Sequence, residues 1–237
     1  MGERITITAV DGGSFSAYVA RPAAAVAPAI VVIQEIFGVN QVMRDICDGL
    51  AAQGYLAVCP DLFWRIEPGI DITDKSEAEW KRAFELFNAF DVDQGLRDIR
   101  ATIAEVRENP ACNGKVGAVG FCLGGLLAFL TAARTDADAS VSYYGVGIES
   151  RVGEADKLSR PLLMHIAEED QFVPKAAQEL ILKSLKNHPL IEIHTYPGRD
   201  HAFAREGGDH YHAGDAAQAN ARTLAFFKKN LAEKVGA

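Results

Sequence analysis

The chain has 237 residues, 49% of them hydrophobic, and a formal net charge of −8 at pH 7. That length suits one α/β domain, and residues 1–237 are read as such; so apolar a chain is not a disordered one. An acidic chain without a Lys/Arg block is not expected to hold nucleic acid, because phosphate binding needs a local basic stripe.

The opening residues, MGERITITAV, lack the charged-then-apolar layout of a secretory signal. Gly2 and Thr6 fit the loose myristoylation pattern, but RITITAV alternates like a first strand and no basic cluster supplies a second anchor. No apolar run approaches the roughly 18 residues that span a bilayer. Cys47, Cys59, Cys112 and Cys122 show neither zinc-finger nor C-x-x-C spacing. Free thiols and a cytoplasmic home are therefore expected, with no membrane partner.

RITITAV and SFSAYVARP flank DGG, which predicts a hairpin. APAIVVIQE is a β-branched run suited to a strand covered on both faces. VMRDICDGLAAQG has helical spacing and ends on Gly54, a C-cap residue. YLAVCPDLF predicts another buried strand, and WRIEPGIDITDK a loop. SEAEWKRAFELFNAF opens on a capping box, Ser76 with Glu79. A further helix is predicted from Asp91 to about Asn109. KVGAVGF, ASVSYYG, PLLMHIAEED and IEIHTYPG read as strands; LGGLLAFLTAAR, PKAAQELILKSLKN and AGDAAQANARTLAFFKKNLAEKV read as helices. Strands alternating with helices predict an α/β architecture, a mainly parallel sheet with helices on both faces.

The chemistry centres on GFCLGG. A strand runs into a helix through a Gly-rich turn with Cys122 at its apex, the layout of a nucleophile elbow written G-x-C-x-G. A helix N-terminus favours a thiolate and later an oxyanion, and the amide of Leu123 is placed to be one oxyanion donor. A plain buried cysteine at a Gly-rich junction is the competing reading. Asp170 and His201 follow in the order nucleophile, acid, histidine, each near the end of a predicted strand, where open α/β sheets place their ligands. His201 would take the thiol proton and Asp170 would orient the imidazole. Glu35 ends the central strand VVIQE; it could hydrogen-bond the protonated thiol, and the amide of Ile36 could be the second oxyanion donor. His165 and His194 fall within strands, while His210 and His212 lack a third ligand with metal spacing, so neither metal nor cofactor is expected. A thiol titrates near pH 8.5, so its nucleophilic form needs only modest help toward an ester with a good leaving group.

QEIFG, CPDLF, NGKVGAVGFCLGG, YYGVG, FVP and HAFAR, in that order, make the chain resemble the dienelactone hydrolase family of α/β-hydrolases over nearly its whole length. The resemblance implies a Cys122–His201–Asp170 triad, Glu35 as resting partner of the thiol, oxyanion amides at Ile36 and Leu123, and Arg205 on a substrate carboxylate. The implied reaction is hydrolysis of a cyclic enol-lactone carboxylate through an acyl-enzyme, as in the breakdown of chlorinated catechols. Phe37, Phe84, Tyr144 and Trp80 are expected to line the substrate site. The chain departs from the family where Trp80 replaces a second carboxylate-binding arginine, Phe84 a tyrosine and Phe87 a tryptophan; Ala202 stands where the best-known members have serine. These departures point to a less polar or differently shaped ester or lactone, acted on by a monomer or small homo-oligomer. The alternatives are a promiscuous carboxylesterase and a non-catalytic thiol redox or binding domain. A glutamine amidotransferase would need Glu two residues after the histidine, and Phe203 stands there.

Overall fold

The computed structural model describes residues 2–232. Its strands are β1 (Glu3–Thr8), β2 (Ser14–Ala20), β3 (Ala27–Ile33), β4 (Leu56–Pro60), β5 (Cys112–Phe121), β6 (Ala139–Tyr143), β7 (Leu162–Ala167) and β8 (Ile191–Tyr196). They form an eight-stranded, mostly parallel sheet in the order β1-β2-β4-β3-β5-β6-β7-β8. The hairpin β1–β2 and the pair β2–β4 are antiparallel, while β3–β4, β6–β7 and β7–β8 are parallel. By contacts the chain divides into two compact units, one running to Ala118 and one Val119–Ala232.

In the first unit the sequence rules are obeyed residue by residue. Every side chain of β4 and all but one of β3 are buried, which is why these strands read as unbroken apolar runs. Helix α1 (Gln41–Ala52) packs on both of them. It is capped by Asn40, whose side chain accepts the Met43 amide at 3.2 Å. It ends in a Schellman turn: Gly54, at φ 93°, donates to Ala51 O and Tyr55 N to Leu50 O. Helix α2 (Glu77–Ala89) has the expected capping pair, with Glu79 N donating to Ser76 Oγ at 3.3 Å. Glu79 reaches one turn further back, taking the Thr73 amide at 2.9 Å. Helix α3 (Val92–Glu108) is flanked by Asp91 and Asn109, and the Asp91 carboxylate accepts two first-turn amides. The irregular stretch from Trp64 to Lys75 is organised by acids: Asp61 takes the Phe63 and Gly69 amides, and buried Asp98 holds Trp64 Nε1 and Arg65.

The second unit holds α4 (Leu123–Arg134), α5 (Lys175–Leu185) and α6 (Ala213–Asn230). Helix α4 is buried on every side up to Ala133, as its all-apolar sequence requires. Strands β6 and β7 are buried throughout, and α6 packs on both. Two sequence expectations need correction. The strand expected to reach Asp170 ends at Ala167, because Glu168 and Glu169 turn out of the sheet, their amides donating to Tyr196 O and Arg199 O. A 3₁₀ segment, Ile148–Lys157, fills a stretch for which no element was expected. The last helix ends at Asn230, and the expected continuation over 233–235 lies outside the described residues. No helix among the described residues is long and apolar enough to cross a membrane.

Candidate active site

Cys122 is the junction itself. β5 ends at Phe121, α4 begins at Leu123, and Cys122 between them has φ 58° and ψ −116°. A left-handed φ at a residue with a Cβ is strained, and it survives only where the surroundings fix it. Here the Cys122 amide donates to Tyr143 O at 3.1 Å, and its carbonyl accepts from Gly125, Leu126 and Val146. The flanking glycines are obligatory. A Cβ on Gly120 would lie 1.9 Å from Gly124 O, and one on Gly125 would lie 2.5 Å from Tyr143 O. Leu123 N–H is the first amide of α4, where helix geometry provides no intrahelical acceptor. That amide and the positive helix end favour negative charge at the apex.

Asp170 lies three residues beyond β7, and His201 five beyond β8. The loops nevertheless bring them together: His201 Nδ1 is 2.8 Å from Asp170 Oδ2, with both side chains buried. The Cys122 side chain is the other group that acts on the imidazole. Burial alone would pull the imidazole pKa down. The influence of Cys122, with the hydrogen bond that the imidazole donates to Asp170, outweighs it and raises His201 from 6.5 to about 10. The arrangement therefore favours a proton on His201.

Two residues not singled out in the sequence, Asp200 and Phe172, hold this geometry. Asp200 Oδ1 accepts both the His201 amide, at 2.6 Å, and the Gln171 amide, at 2.9 Å, tying the two loops together. Phe172 meets the His201 ring edge-to-face at 4.9 Å. Tyr144, expected to line the substrate site, also meets the His201 ring edge-to-face, at 5.1 Å, and Phe203 packs on Tyr144 at 5.7 Å. Asp200 is the residue a sequence reading could have found, since an acid beside the histidine can bond its amide. Arg205 is half-buried in the turn after His201, its amide donating to Ala202 O at 2.9 Å. His165 is buried between strands, His194 pairs with Glu192, and His212 caps α6. Among the described residues no group of three or more His, Cys, Asp or Glu could hold a metal ion.

In the first unit, Glu35 and Ile36 are buried just past the end of β3. Phe37 follows and meets Trp80 edge-to-face at 5.2 Å, and Trp80 stacks on Phe84 at 5.6 Å. The three rings form one aromatic ladder, anchored where Trp80 Nε1 donates to Asp74 O at 3.0 Å.

The model of the dienelactone hydrolase family matches residues 15–231. The chain belongs to that family. A relative from Azospirillum brasilense, provisionally named a carboxymethylenebutenolidase, is 58% identical over 96% of this chain and 98% of its own length. The carboxymethylenebutenolidase of Pseudomonas putida is 45% identical over 94% of this chain and 95% of its own. A crystal structure from Klebsiella pneumoniae, provisionally named a dienelactone hydrolase, superposes with a TM-score of 0.81 at 30% identity, covering 96% of this chain and 99% of that one. The fold is thus that of the α/β-hydrolases, and the chain is a hydrolase of carboxylic esters or lactones. The cations beside Trp80 are paired on the surface or exposed. Arg82 is ion-paired with Glu67 and Glu85, and Lys81 is exposed.

Proposed function

We propose that the chain is a thiol hydrolase that opens a lactone or small carboxylic ester through an acyl-enzyme on Cys122. The observation that carries this reading is the buried imidazole of His201, bonded to Asp170 and raised in pKa by Cys122. With the proton held on His201 Nε2, as the raised imidazole pKa favours, the Cys122 thiolate forms a bond to the carbonyl carbon. The tetrahedral oxyanion is met by the Leu123 amide and, by the family resemblance, that of Ile36. The C–O bond then breaks, and the leaving oxygen takes the proton from His201. Water, deprotonated by His201, cleaves the thioester and restores the thiol. Glu35 is assigned, on the same resemblance, as the carboxyl partner of the resting thiol.

The family relatives favour an enol-lactone carboxylate, for which Arg205 would bind the carboxylate. The ladder Phe37–Trp80–Phe84 argues for a flat apolar group in place of a second anionic contact. We place the enzyme in the cytoplasm, acting on a small molecule, with neither nucleic acid nor membrane as a partner.

The test is mass spectrometry of the intact protein during turnover of a lactone and an aryl-ester panel. An acyl adduct should map to Cys122, and Cys122→Ala should lose turnover by at least about 10³-fold while keeping its melting temperature. Turnover by Cys122→Ala at the wild-type rate would refute the assignment.

A further inference from the structure

Behind the site lies a polar chain, buried at its centre, that the reaction does not use. Tyr143 and His165 are register partners on β6 and β7, so their side chains share a face of the sheet. Tyr196, two residues beyond the register partner of His165 on β8, lies on the same face. Helix α6 packs on this face and inserts Thr223 between the first two. Thr223 Oγ1 is 2.6 Å from Tyr143 Oη and 3.0 Å from His165 Nε2. His165 Nδ1 is 2.8 Å from Tyr196 Oη, which accepts from Arg222 Nη1 at 3.1 Å. At the other end Tyr143 Oη donates to Asn220 Oδ1 at 3.0 Å.

The donors have one consistent assignment. Arg222 can only donate, so the Tyr196 hydroxyl accepts from it and gives its proton to His165 Nδ1. Tyr143 spends its proton on Asn220, so it accepts from Thr223, and Thr223 accepts from His165 Nε2–H. The result runs head to tail from Arg222 through Tyr196, His165, Thr223 and Tyr143 to Asn220. It requires a neutral His165, and burial, with the nearby His194 and Arg222 charges, holds its pKa well below the ordinary value.

The same residues brace every left-handed non-glycine position among the described residues: Cys122, Tyr144 and Ala202. Tyr143 O accepts the Cys122 amide, and His165 O accepts the Tyr144 amide at 2.8 Å. The Tyr196 ring packs at 4.5 Å on Phe203, the residue after Ala202. We propose that the chain from Arg222 to Asn220 is a positioning device that holds the strained turns bearing Cys122 and His201 in register, with Thr223 as its central positioning residue. This rests on the thiol-hydrolase reading above.

Thr223→Val keeps the side-chain shape and removes the hydroxyl that joins His165 to Tyr143. With an aryl ester, kcat should fall about tenfold or more with KM changed less than about twofold, since small misplacements of reacting groups act on the chemical step. The pH profile of iodoacetamide alkylation at Cys122, which needs no ester turnover, should shift in the same variant, and Thr223→Ser should restore both. Arg222→Met, at the outer end of the chain, gives a milder loss of the same kind and serves if Thr223→Val does not fold. A folded variant with kcat and alkylation profile unchanged overturns the proposal, as does failure of Thr223→Ser to restore them. Failure of the hydrolase reading would show separately, as wild-type alkylation without ester turnover.

Discussion

The two halves of the molecule handle backbone strain in opposite ways. Up to Ala118, each described residue with a left-handed φ is a glycine: Gly12, Gly38, Gly54, Gly69 and Gly114. From Val119 on, glycines still serve the outer turns, but Cys122, Tyr144 and Ala202 take positive φ with a side chain attached. The first half accepts the residue the geometry wants. The second half imposes the geometry on residues that carry side chains, and holds Cys122 and Tyr144 there with backbone hydrogen bonds to Tyr143 O and His165 O. Local rules are broken where a site needs a side chain at a turn that sterics would give to glycine.

The largest effect expected from breaking this arrangement is at Gly125. A methyl there would meet Tyr143 O at 2.5 Å and the Gly145 Cα at 2.7 Å, both backbone. Tyr143 ends β6 and Gly145 follows two residues later, so the backbone must shift, and Gly125→Ala should destabilise by about 3 kcal/mol or more. The check is urea denaturation followed by tryptophan fluorescence. A loss below about 1 kcal/mol would mean that the elbow has slack, and that its strain is not imposed by close packing.

An intermediate effect is expected at His201, whose pKa is raised from 6.5 to about 10. A raised folded value contributes stability that is fully present below pH 6.5 and is lost as pH climbs through about 10. Imidazole signals followed by NMR should therefore show His201 still protonated in wild type at neutral pH. In Cys122→Ala two of the upward influences are gone, and the midpoint should drop. An unchanged midpoint in that variant would uncouple His201 from the thiol.

Much of this is legible in the sequence, and the exceptions have physical causes. Capped helices such as α2 and α3 announce themselves because a cap is a local bond between residues a few positions apart. The elbow is legible because its glycines cluster within one turn, Gly120 being demanded there by contact with the Gly124 backbone. Asp170 and His201 stand out by order and type, though the sequence pattern sets both closer to their strand ends than the structure does. The chain Arg222–Tyr196–His165–Thr223–Tyr143–Asn220 is not legible, because it joins β6, β7, β8 and α6. Tyr and His in apolar runs read as ordinary core, and only the register of Tyr143 with His165 shows that they share a partner.

The smallest effect is the sharpest comparison, because it exchanges the two halves' solutions. Gly54 has φ 93°, and a Cβ added there would find nothing within 4 Å, so Gly54→Ala meets no steric neighbour and isolates conformational strain. It should cost about 1 kcal/mol. Ala202 has φ 61°, so Ala202→Gly relieves the same kind of strain and gives up one buried methyl, worth about 0.8 kcal/mol. The two terms nearly cancel, and its net stability change in urea should lie within about 0.5 kcal/mol of zero. Activity should separate the sites where stability does not. Gly54→Ala leaves ester turnover untouched, whereas Ala202→Gly loosens the residue beside His201 and should lower kcat. If Ala202→Gly keeps full kcat, the strain at Ala202 is a by-product of the turn and contributes nothing to holding the imidazole.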